Sequence, residues 1–209
     1  MALEDPTIAA SFRIATPGDW FDIRLPQGEP AGDELANQLA GSWPGHVGSA
    51  GELRGMVRSL VSATAALDVL CAYATVVNGH GHLLPASLVI NVFPFRGQTL
   101  GHVAEQLSGD TGALGARPPR LVDFPAGRAV RVERLREWSV LAGDRHPVSL
   151  LVQYIAEVPG HDQALVLTFS TPALGLAEQL RPVFHAIVST LRFEGLAETS
   201  RSESAGQRQ

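Results

Sequence analysis

Two apolar runs and the amphipathic stretch that follows them, residues 148–193, constrain the fold of this chain more than any other feature. Both runs are rich in Val, Leu, Ile, Tyr, Phe and Thr, residues that suit a pleated, half-buried surface. In the first run Val148, Leu150, Val152, Tyr154, Ala156 and Val158 share one face, while Leu151, Gln153, Ile155 and Glu157 share the other. The first face is wholly apolar or aromatic and is expected to meet the core. In the second run Leu165, Leu167 and Phe169 alternate with Val166, Thr168 and Ser170, as in an inner strand of an antiparallel sheet. Residues 159–163 between them read as a hairpin loop. After Pro172, residues 173–193 place Leu176, Ala177, Leu180, Val183, Phe184, Ile187, Val188 and Leu191 on one helical stripe. Pro182 lies inside that stripe without breaking its phase, so one kinked helix is expected. Such a helix gains roughly 10–20 kcal/mol from burial and loses a similar amount in chain entropy, so it depends on the sheet.

The remaining chain adds strands and helices in separate runs. Residues 11–16 and 20–25 alternate around the turn residues Pro17, Gly18 and Asp19 and predict a first hairpin. Short helices are predicted over 33–43, with Asp33 as cap, and 50–65, with Ser49 as cap. Residues 67–77 and 83–95 flank Asn78-Gly79, a strong hairpin signal. Thr99 caps a predicted helix over 99–107, and 109–119 is a turn-rich loop. Residues 120–124 and 127–138 predict two more strands. The second is heavily charged, with neither face cleanly apolar, and reads as an edge or a solvated strand. This order predicts an α+β fold, with one domain over 11–194, a loose leader over 1–10 and a disordered polar tail over 195–209.

Composition narrows function by exclusion. A formal charge of −5 and a pI near 5.8 argue against a nucleic-acid binder. All basic residues are arginine, the pattern of a GC-rich coding sequence. Cys71 is the only cysteine, which suits a reducing compartment. The acidic first residues lack a signal-peptide pattern, and no long uncharged apolar segment predicts a membrane span. A cytoplasmic location is therefore expected.

The strands 148–158 and 164–171, the Pro159-Gly160 turn and the ending Phe184 to Phe193 resemble the Mog/PsbP/LpqN-like group, as does the amphipathic opening 12–25. That group includes photosystem II extrinsic proteins, a Ran-binding nuclear import factor and actinobacterial LpqN-type lipoproteins. The resemblance implies an actinobacterial protein with an α/β/α sandwich around a mainly antiparallel, twisted sheet. It implies partner binding rather than chemistry, and no cofactor.

Candidate site residues are few. His80 and His82 flank Gly81 at a hairpin tip, where two imidazoles on one face could hold a transition metal; a polar turn is the commoner use. Arg128, Arg131, Arg134 and Arg136 form the densest charge feature, a surface for an acidic protein partner or simply a solvated face. Trp20, Trp43, Tyr73 and Trp138 could line an apolar pocket between sheet and helices for a small molecule. Cys71 sits mid-strand as a small hydrophobe. Two functions follow: a non-enzymatic adaptor for a protein partner, or a small-molecule binder or enzyme. A homodimer paired through sheet edges or faces is a third option.

Overall fold

In the computed structural model, residues 11–23, 69–77, 83–108, 117–137 and 148–194 are described. The leader and tail, both short helices over 33–65, and the 78–82 turn lie outside them. Among the described residues there are nine strands: β1 (Ser11–Arg13), β2 (Phe21–Ile23), β3 (Val69–Val77), β4 (Leu83–Pro94), β5 (Arg117–Phe124), β6 (Gly127–Glu137), β7 (Val148–Glu157), β8 (Gln163–Thr171) and β9 (Arg192–Glu194). The α-helices of the described residues are α1 (Leu100–Ser108) and α2 (Ala177–Ser189). Seven strands form one antiparallel sheet in the order β2-β3-β4-β8-β7-β6-β5. The other two, β1 and β9, pair separately.

The predicted alternation along β7 is met: Leu150, Val152, Tyr154, Ala156 and Val158 are buried on one face. On β8, Leu165, Leu167 and Phe169 share that face, and β8 lies inside the sheet between β4 and β7. Between them the chain turns through Gly160 at φ 75°, a backbone state that glycine adopts at little cost. Against this face packs α2, through Leu180, Phe184, Ile187 and Val188. Phe184 stacks on Phe169 with ring centroids 4.6 Å apart, and Trp20 meets both rings edge-on at 6.4 Å. Pro182 sits within α2 on its exposed side, where the missing backbone donor is least costly. The opposite face carries Val130, Val132 and Ala164, covered by Leu100, Val103, Ala104 and Leu107 of α1. Thr99 caps α1 as predicted, its Oγ1 accepting from the His102 N–H at 3.2 Å. Helices on opposite faces of an antiparallel sheet give the expected α+β sandwich.

Four expectations are corrected. The opening segments do not form a hairpin: β1 pairs with β9, and β2 pairs with β3. The turn forms, with the Trp20 N–H on the Pro17 carbonyl, but it carries the chain from one layer to the next as Trp20 drops into the core. The C-terminal helix stops at Ser189, and Arg192–Glu194 becomes a strand. Its stop is local: Thr190 Oγ1 donates to the Ile187 carbonyl, and Arg192 Nη1 to the carbonyls of Ser189 and Leu191. The loop predicted up to residue 119 ends earlier, because β5 begins at Arg117 and contains Pro118 and Pro119. An edge strand tolerates proline, and the register slips between Arg117 and Arg120. Lastly, the charged strand β6 is internal, and β5 is the edge. Its alternation is mixed because Val130 and Val132 face α1 on one side, while on the other side buried Glu133 is ion-paired to Arg131 and Arg181.

Candidate functional site

The predicted arginine cluster divides between the two faces of the sheet. Arg128 is exposed and paired with Asp123 at 3.0 Å. Arg134 points to the α1 side and donates to Gln153 Oε1 at 3.0 Å, while Gln153 donates to Thr168 Oγ1 at 3.1 Å. Arg136 is exposed near the end of β6. Only Arg131 lies on the α2 face, and it belongs to a different constellation.

That constellation is a charged seam between α2 and strands β5 and β6. Its centre is Glu133, 5% exposed. Arg181 of α2 reaches Glu133 Oε1 through Nη2 at 2.6 Å and Nε at 2.7 Å. Arg131 Nη2 holds Oε2 at 2.9 Å, and Arg117 Nε approaches Oε1 at 3.4 Å. Glu178 accepts from Arg181 one turn along α2 and lies 3.8 Å from Arg117. Glu133 as acceptor, the largest influence, raises the Arg181 pKa further, so this cation is permanent. Arg120 stands opposite Arg131 in the β5–β6 register, exposed and in no ion pair among the described residues. Four arginines against two glutamates leave the seam with a net charge of +2, on a chain of net charge −5.

Beneath Arg131 lies Tyr154, fully buried, with the guanidinium carbon 5.9 Å from the ring centroid. His185, one turn beyond Arg181 and exposed, lies against the same ring at 6.3 Å. The Tyr154 hydroxyl and Arg131 Nε are buried and make no hydrogen bond of good geometry, although the Arg131 guanidinium lies within reach of the phenol oxygen. Burial is the largest influence on the phenol and raises its pKa, with the Arg131 charge opposing the rise. The seam therefore offers donors and fixed positive charge.

The aromatic candidates are placed in part. Trp20 is 8% exposed and packed against Phe169 and Phe184, so it fills space between sheet and helix rather than lining a void. Tyr73 packs half-buried on the same face beside Cys71. Burial pushes the Cys71 thiol up to about 11 and the Tyr73 phenol up to about 12. Trp43, Trp138, His80 and His82 lie outside the described residues, among which no group of three metal-ligating side chains occurs. No helix among the described residues is long and apolar enough to cross a membrane.

Sequence reasoning puts Tyr154 on the core face but names neither Glu133 nor Arg181 as a site residue. The available signal was the spacing of Glu178, Arg181 and His185, three and seven residues apart, which lines one side of a helix.

No protein-family model matches the chain, and no curated protein sequence matches it. A solved structure does: LpqN of Mycobacterium tuberculosis, a protein involved in cell envelope biogenesis. The TM-score is 0.51 at 9% identity, over 91% of this chain and 86% of that one. The chain has an LpqN-like fold.

Proposed function

We propose that this is a non-enzymatic adaptor that holds a protein partner on the β5–β6 side of the sheet. One observation carries the reading: Arg120 stands on an exposed edge strand beside the ion-paired seam, with no carboxylate of its own among the described residues. Arginine keeps its charge at every physiological pH, and its planar fork matches carboxylates in two-point contacts. Such groups suit recognition better than proton transfer. The involvement of LpqN in cell envelope biogenesis is compatible with a role of this kind. The LpqN-like fold also supports reading the chain as a divergent member of the Mog/PsbP/LpqN group, and its lysine-free composition supports an actinobacterial source.

The test is native mass spectrometry of the protein gently purified from its own host, beside an Arg120→Glu variant. Arg120 is chosen because it is exposed, whereas Arg131 and Arg134 are half-buried and hydrogen-bonded. The expected result is a partner of defined mass retained by the wild type and lost from the variant. Identical partner retention by both proteins would remove the arginine edge as the contact.

A further inference from the structure

Strand β5 ends the seven-stranded sheet, and its outer side meets no strand among the described residues. An edge strand turns half of its backbone N–H and C=O groups outward, where another extended chain can pair with them. Pro118 and Pro119 close the first half of this edge, because proline has no N–H to give. Residues 120–123 remain open: Arg120, Leu121 and Asp123 are exposed and Val122 is half-buried. Alternation puts Arg120 and Val122 on the α2 face and Leu121 and Asp123 on the α1 face. Two features of this window are unfavourable in the chain alone. Arg120 stands directly opposite Arg131, and like charges so placed repel. Glu133 answers Arg131, while Arg120 has no counter-charge among the described residues. Leu121 is 48% exposed. Charges on an edge serve to keep other strands away, but a guarded edge has no use for an exposed leucine at its centre. A chain that brought a carboxylate to Arg120 and an apolar side chain to Leu121 would relieve both.

We propose that β5 takes up an extended, acidic segment of the partner protein as an added strand of the sheet. The inference rests on the adaptor reading and gives its partner a chemistry and a binding mode. Main-chain hydrogen bonds along residues 120–123 hold the segment, and its side chains set the choice of sequence. On the α2 face its carboxylates meet Arg120, beside Arg117 and the ion cluster of net charge +2. On the α1 face Asp123 is already paired with Arg128, and Leu121 offers apolar contact, so apolar residues belong there. The segment therefore alternates acidic and apolar residues. A second copy of this chain fits less well, because its own β5 brings arginines and prolines where the site calls for carboxylates and free N–H groups.

The probe is a short fluorescent peptide of alternating glutamate and valine, with binding to the full chain followed by anisotropy at fixed low ionic strength. A peptide of the same composition with its glutamates in one block carries the same charge but cannot present one residue type to each face, and is expected to bind about tenfold more weakly. N-methylation of alternate peptide amides, in the one frame that faces β5, is expected to weaken binding by at least about tenfold, and in the other frame to leave it unchanged. Arg120→Glu, at an exposed position, is expected to lose the glutamate peptide and to gain one of alternating lysine and valine. Retained cooperative melting establishes that this variant is folded. Hydrogen exchange at residues 120–123 should slow when the glutamate peptide is added. Binding that responds equally to both N-methylation frames, or to neither, would overturn the proposal, as would no binding of the glutamate–valine peptide by the wild type. A concentration-dependent dimer in which exchange at residues 120–123 slows without peptide would also overturn it, since the edge would then belong to a second copy. Loss of a host partner from Arg120→Glu, together with peptide binding blind to N-methylation, would keep the adaptor and remove strand addition.

Discussion

The two faces of the sheet are built by different means. On the α2 side, Trp20, Tyr154, Phe169 and Phe184 interlock with the aliphatic residues of four inner strands. On the α1 side, Phe95, Leu100, Val130, Val132 and Ala164 make a smaller cluster with no ring stacking among them. The ion cluster joins the aromatic side, at its β5–β6 end. Buried charge thus lies on the face with the larger core, where it is costly to leave unpaired. The α2 layer holds the fold and shapes the seam; the α1 layer covers what remains.

Deleting everything from Pro172 onward would test this contrast most severely. It removes α2 and also β9, the partner of β1, and the cooperative thermal transition followed by circular dichroism should vanish; a truncated chain that melts cooperatively would refute the dependence. Phe184→Ala is expected to cost about 3–5 kcal/mol in denaturant melts, because the cavity opens between Phe169 and Trp20. Glu133→Gln should cost about 3 kcal/mol, since Arg131 and Arg181 lose a buried counter-charge; a neutral result would mean that the seam relaxes into water. Leu100→Ala, on the other face, should cost about 2 kcal/mol, and a larger loss than Phe184→Ala would invert the ranking.

Cys71 gives the smallest effect and a pH signature. Its thiol pKa rises on folding from 9.0 to about 11, so between those values the unfolded chain has released a proton that the folded chain keeps. Stability from this group is full below about pH 9 and declines as pH rises toward 11. At pH 8 the folded thiol should react with iodoacetamide at least about a hundredfold more slowly than the unfolded one, as thiolate abundance dictates. Equal rates would place Cys71 in solvent.

Side-chain periodicity makes the inner strands legible in the sequence. Tyr154, Leu165, Phe169, Phe184 and Ile187 lie where alternation and the helical stripe put them. Strand pairing was not legible for β1, because three residues carry too little pattern to name a partner 180 positions away, whereas the turn beside it points to a nearby one. The charged strand β6 misled for a related reason: periodicity reports whether a side chain is polar, not whether another buried charge meets it. Glu133 and Arg181 are 48 residues apart, and their ion pair exists only because α2, packed over β7 and β8, brings Arg181 within reach of β6. The seam is therefore hidden in the sequence: Glu133 and Arg181 are legible as charged residues but not as partners buried against each other.

The β1–β9 pair has a mechanical consequence. Ser11 lies opposite Glu194, Arg13 is ion-paired to Glu194, and Ala15 N–H bonds to Thr190 Oγ1. Ser11 and Glu194 thus lie about 5 Å apart, the spacing of paired strands. Tension applied at these two points peels the short ladder one rung at a time instead of shearing all rungs together. Single-molecule extension should record a small first step before the main sheet ruptures, so this clasp acts as a sacrificial link that shields the sheet from pull along the chain.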